Sequence, residues 1–183
     1  MKLLLPFAPF IAFAVVEHLA GVPAAGLAVG TILAVALLVR DVVTPGRRIK
    51  LLEIGTTLLF GALAVYAFTK NVQWSIAAVR LRVDAGLMLI VLASIALRQP
   101  FTLQYAREAV DREHWESPQF VRVNYVISTV WAVVFGILVL ADIVMAYVPA
   151  LPHSTGIVAT VAALYAAVKF TSWYPEQPAA KRA

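Results

Sequence analysis

From Pro23 to Val39 the chain reads PAAGLAVGTILAVALLV, with no charged side chain in the run. Comparable stretches recur along the 183 residues, at approximately 3–20, 23–40, 50–69, 76–98, 124–148 and 155–174. A bilayer core takes about 20 mostly apolar residues per helix. Inside it a backbone must satisfy its own hydrogen bonds, which a helix does by itself. The pattern therefore predicts an all-α, polytopic integral membrane protein with about six transmembrane helices. Residues 1–183 are expected to form a single transmembrane domain. The opening MKLLLPFAPFIAFAVV also has the build of a signal peptide. Glu17 and His18 follow it directly, however, and no small-x-small cleavage site precedes the second run, so it is expected to be kept as a span.

Composition narrows the function classes. At 62% hydrophobic and 14% charged residues, the chain has too little polar surface to cover a soluble core. It contains no cysteine, which removes thiol catalysis, disulfides and thiolate metal sites together. A net charge of +5 reads here as cationic flanks facing anionic lipid, not as a nucleic-acid surface.

The basic residues also orient the spans. With the N-terminus inside, the inner segments hold Lys2, Arg40, Arg47, Arg48, Lys50, Arg98, Arg107, Arg112, Arg122, Lys169, Lys181 and Arg182. The outer segments hold Lys70, Arg80 and Arg82. This asymmetry predicts cytoplasmic N- and C-termini. Tyr66, Trp74 and Tyr147 fall near outer ends, and Trp115, Tyr125, Trp173 and Tyr174 near inner ends, as interfacial aromatics do. Gly26 and Gly30 form a GxxxG, and Ala159, Ala163 and Ala167 a small-residue stripe. Such faces allow close helix approach. They serve either intrachain packing, the preferred reading, or a homo-oligomer.

Ionisable groups inside spans are costly and mark candidate sites. Glu17, Asp84 and Asp142 fall in the outer half of the membrane, with His18 beside the first and Arg80 four residues before the second. Together Glu17, His18, Arg80, Asp84 and Asp142 make a candidate outward-facing pocket for a cation, a proton or a lipid headgroup. The plainer alternative is an Arg80–Asp84 pair that neutralises itself, with Glu17 and Asp142 at interface depth. Glu53 is expected to pair with Lys50, Arg47 or Lys169, or to mark the inner interface. Lys169 lies near an inner end and reads as a snorkelling lysine, not a Schiff base. His18, His114 and His153 sit at different levels, which disfavours paired haem ligation, and no nucleophile-and-base spacing emerges. No catalytic, cofactor-binding or metal residues are expected.

The longest polar run, RQPFTLQYAREAVDREHWESPQF from Arg98, connects spans four and five. Pro100 suits a first helical turn and Pro118 a stop, so 100–116 is expected as one cytoplasmic interfacial helix within the segment 99–123. Glu108 and Arg112 would form an i,i+4 pair on it. Glu113 and His114 would point about 100° apart, so they could not easily share a metal. Arg107, Glu108, Asp111 and Trp115 form the candidate partner surface.

Several stretches resemble the intracellular septation protein A family of bacterial inner-membrane proteins. They are LPFAPFIAF, FGALAVYAF with Trp74 beyond it, RQPFTLQYAREAV, and the order Trp115 or Phe120, Asn124, Trp131 and Phe135-Gly136. The likeness is spread over most of the chain. The chain departs from the pattern in its more charged 98–123 loop and in Asp142, where a neutral amide is expected. The resemblance implies a bacterial inner (plasma) membrane location and a role in septation and envelope integrity. It implies action through membrane lipids and division or wall-synthesis proteins, with no defined reaction. Two other classes stay open: a small transporter or channel using the outward acidic pocket, and an intramembrane lipid enzyme.

Overall fold

The computed structural model describes residues 2–72, 74–148 and 153–177, and all regular structure among them is helical. The α-helices are α1 (Ala8–Ala20), α2 (Pro23–Val43), α3 (Leu51–Lys70), α4 (Ile76–Ala96), α5 (Phe101–Ala106), α6 (Pro118–Tyr147) and α7 (His153–Trp173). Short 3-10 segments occupy Lys2–Phe7, Arg112–His114 and Tyr174–Glu176. Lys181 and Arg182, counted above on the inner side, lie outside the described residues.

Among the described residues, four helical stretches are long and apolar enough to cross a membrane: Pro23–Val43, Leu51–Lys70, Pro118–Tyr147 and Thr155–Glu176. Their outward side chains include Ile32, Leu58, Leu140 and Val158, all well exposed, so the surface they offer is hydrocarbon. This is the architecture of a helical membrane protein. The other two expected spans differ in kind. α4 is 21 residues long, but Arg80, Arg82 and Asp84 all fall in its first half. α1 has 13 residues, about 20 Å of α-helix, preceded by six residues of the more extended 3-10 form.

Local chemistry sets the breaks. Gly21, at φ +64°, takes the left-handed conformation that ends α1, and its N–H donates to the Glu17 carbonyl at 2.9 Å. Pro23 opens α2, where its missing N–H costs nothing. Asn71, also left-handed, ends α3.

The chain forms two compact units, Met1–Ile90 and Val91–Ala183. In the first, Phe60 lies at the centre, edge-on to Phe10 and Phe13 of α1 at 5.1 and 5.8 Å. Leu27, Ala64, Ala67, Val79 and Val83 complete this core. The GxxxG of α2 is used twice within the chain. A methyl group on Gly26 would lie 2.9 Å from the Phe13 ring, and one on Gly30 would lie 2.6 Å from the Phe60 ring. One glycine thus admits α1 and the other α3. α3 and α4 run antiparallel through a reciprocal arrangement, Gly55 receiving Ile90 and Gly86 receiving Leu59. At the far end of this pair Tyr66 stacks on Trp74 at 5.6 Å, and the Arg82 guanidinium sits 4.7 Å from the Trp74 ring.

In the second unit α6 and α7 pack antiparallel, with Gly156 against Met145 and the Trp131 Nε1–H donating to Thr171 Oγ1 at 2.9 Å. Ala167 is fully buried, and Ala159 and Ala163 are partly so, which puts the alanine stripe to intrachain use.

The expected helix over 100–116 is not formed. Helix α5 ends at Ala106 after six residues. Its first turn is held in the interior: Phe101, Thr102 and Leu103 are buried. Thr102 Oγ1 donates to the Asn124 carbonyl at 2.8 Å and accepts from Ser128 Oγ at 2.8 Å. The Phe101 N–H donates to Ser94 Oγ at 3.1 Å. The remainder folds back on itself, because Arg107 bonds Glu116 at 2.9 Å and the guanidinia of Arg107 and Arg112 both lie 5.6 Å from the Trp115 ring. Those contacts displace the Glu108–Arg112 helical pair, worth only a few tenths of a kcal/mol. Pro118 does not stop a helix but starts one. Ser117 caps α6, its Oγ accepting from the Phe120 N–H at 3.3 Å, and Pro118 takes the first turn. α6 therefore begins six positions before the expected 124 and runs 30 residues, about 45 Å.

Candidate functional site

The densest polar chemistry lies where α2 turns into α3. Asp41 sits in the last turn of α2, the end of a helix that repels negative charge. Thr44 closes that helix, its N–H and Oγ1 both donating to the Arg40 carbonyl at 3.1 and 2.6 Å. Pro45 and Gly46, the latter at φ +83°, then reverse the chain. Lys50 is the extended residue before α3, and Glu53 lies in the first turn of α3.

This turn gathers three bases around two acids. Arg40 donates to Asp41 Oδ1 through Nε at 2.9 Å and NH2 at 2.7 Å, and Arg47 NH1 donates to the same oxygen at 3.0 Å. Lys50 Nζ donates to the other oxygen, Oδ2, and also to the Arg48 carbonyl at 3.3 Å. Lys50 Nζ lies 3.6 Å from Glu53 Oε1, and Arg40 NH2 lies 3.9 Å from it. The side chains of Asp41, Lys50 and Glu53 are 0%, 2% and 2% exposed, against 32% for Arg40 and 35% for Arg47. The cluster is thus a dry ionic centre with an arginine rim. Thr56, buried one turn beyond Glu53, extends the polar face, and its hydroxyl has no hydrogen-bond partner among the described residues. From Phe60 onward the buried face of α3 is apolar: Phe60, Ala64 and Ala67.

Of the partners expected for Glu53, Lys50 is one that it meets, at 3.6 Å. Asp41 was missed, because Arg40-Asp41 reads in sequence as a span-ending turn. Its signal was an acid at a helix C-terminus with Arg40, Arg47 and Lys50 within nine positions.

The candidate outward pocket distributes as follows. Glu17 is buried on α1, its Cβ close to Gly26 of α2. Neighbouring His18 is exposed and turned away, so it does not share that environment. Arg80 and Asp84 are partly buried and one turn apart on α4. These four belong to the first unit, and Asp142, buried on α6, belongs to the second. Glu17, Arg80, Asp84 and Asp142 are each engaged in a polar or electrostatic interaction. A pocket of about 220 Å³ opens at the same end of the first unit, between the start of α2 and the end of α3, lined by Leu27, Ala67, Phe68, Asn71 and Trp74 among others. None of the candidate residues lines it.

Of the candidate partner surface, Glu108 and Asp111 are exposed, while Arg107 and Trp115 are half-buried in the folded-back loop. The Trp115 Nε1–H donates to the Val110 carbonyl at 2.9 Å, and the guanidinia of Arg107 and Arg112 lie near the same ring. No group of three or more metal-ligating side chains occurs among the described residues. No protein-family model, curated protein or solved structure matches the chain.

Proposed function

We infer that this chain is a bacterial inner-membrane protein of the cell envelope, similar in role to septation proteins, that works through lipids and protein partners and not by catalysis. In this reading it has about six spans, with both termini cytoplasmic. The observation that carries the reading is the Asp41 centre. Its two buried acids and Lys50 are held in fixed pairs, which suits an anchored scaffold better than a moving carrier. The apolar face of α3 beyond Thr56 supports the same view, since the polar track from Asp41 stops one turn past Glu53. The second reading, a small transporter for a cation or proton, rests on Glu17 and Asp142, both buried within apolar helices.

Two measurements test the choice. Capture of envelope proteins by the intact chain should fall when Arg107, Glu108, Asp111 and Trp115 are replaced together by alanine; unchanged capture would count against the partner surface. Ion or proton flux in proteoliposomes should be absent, and indifferent to Asp84→Asn and Asp142→Asn. A flux that either substitution abolishes would favour the transporter.

A further inference from the structure

We propose that Arg40 and Arg47 form a clamp for the phosphate of an anionic lipid headgroup, with Asp41 as the post that holds them apart and aimed. The inference rests on the membrane reading above and gives its lipid partner a site. Both guanidinia bond the single atom Asp41 Oδ1, from 2.7 and 3.0 Å. Anchoring on that one atom holds the two guanidinia side by side, so that their remaining donors can converge on one tetrahedral anion. Each guanidinium carries five N–H donors, and the Asp41 contacts leave Arg40 NH1 and Arg47 Nε and NH2 without a partner among the described residues. Asp41 offsets only part of their charge, because the buried Lys50 shares the same carboxylate. Three bases face two acids, and the two bases with exposed side chains are the arginines. The surplus positive charge is therefore presented at the rim.

What surrounds the rim selects the source of the phosphate. Val39, Val42, Val43 and Ile49, all more than half exposed, flank the two arginines along the chain. A soluble phosphate gains nothing from these apolar neighbours. A lipid whose acyl chains lie along α2 and whose headgroup meets the guanidinia uses both, and planar guanidinium donors suit phosphate oxygens.

Native mass spectrometry of the full chain, exchanged from detergent into phosphatidylglycerol or phosphatidylcholine, reads this directly. The unaltered protein should retain phosphatidylglycerol in preference. Arg40→Gln with Arg47→Gln should reduce that preference roughly tenfold to thirtyfold, from the contribution of each arginine near an anionic surface. Arg40→Lys with Arg47→Lys, which keeps charge but loses the fork, should fall between. Arg98→Gln, which removes an exposed arginine outside the cluster, should behave like the unaltered protein. Inorganic phosphate should not displace the lipid. Retention unchanged in the glutamine pair, with helicity and monodispersity intact, would overturn the clamp. So would displacement by inorganic phosphate, which would assign the site to a free anion. Failure of the chain to fractionate with membranes would sink the membrane reading instead, so the two failures are distinct.

Discussion

Phe60 of α3 rests on Gly30 of α2 so closely that a methyl group on the glycine would fall 2.6 Å from two of its ring carbons. The ring is fully buried and is also held edge-on by Phe10 and Phe13. In lipid, where apolar burial gives helices little reason to associate, such backbone-to-ring contacts supply the packing. Gly30→Ala should therefore lower thermal stability in detergent, by about 1–3 kcal/mol, the usual range for overpacking. Gly61→Ala is the control: nothing lies within 4 Å of a Cβ there, so helix propensity alone should act, and the effect should be neutral or slightly stabilising. Equal losses at both positions would show that Phe60 does not occupy this place.

Asp41→Asn takes from the buried Lys50 the carboxylate it bonds and leaves it Glu53 at 3.6 Å, so the first unit should lose about 3 kcal/mol, the low end for breaking a buried pair. Combining it with Lys50→Met should restore much of the loss, since the pair leaves together. Unfolding titrations of both variants in mixed micelles would check this; a double variant no better than the single one would contradict it.

The Trp131–Thr171 hydrogen bond ties α6 to α7. A double-mutant cycle with Trp131→Phe and Thr171→Val should return a coupling of about 1 kcal/mol, the net worth of one such bond. Zero coupling would remove the bond from the account.

Thr102→Val leaves the Asn124 carbonyl and the Ser128 hydroxyl short of a partner in a dry interior. A loss of about 1–3 kcal/mol is expected. By contrast, Glu116→Gln removes a bridge whose acid is almost fully exposed, and its melting temperature should scarcely move. Thermal melts of the two variants side by side would separate a buried anchor from a surface contact.

These particulars mark what could be read in the residues. Apolar runs of membrane length gave α2, α3 and α7 nearly to their ends, since length and hydropathy act locally. Gly26 and Gly30 announced close packing, and the chain itself supplies both neighbours. Pro118 was ambiguous because proline fits both the end of one helix and the first turn of the next; only the Ser117 cap decides it. Gly55 and Gly86 carried no signal, as their importance lies in Ile90 and Leu59 across the α3–α4 pair. The Asp41 centre is a property of the turn, not of either helix. Hydropathy windows average it away, and only the fold brings Lys50 back over Asp41.

That closure bears on how the chain is made. Asp41 and Lys50 lie nine positions apart, on opposite arms of one turn, and burying either charge alone at the edge of the bilayer would cost several kcal/mol. Paired, they neutralise each other at the moment the second arm emerges. The smallest piece that can leave the insertion machinery for lipid is then a hairpin, not a helix. Truncating the nascent chain before Lys50 should leave α2 extractable by carbonate, whereas a chain ending after Lys70 should resist extraction. If both resist equally, α2 enters the bilayer without waiting for its partner.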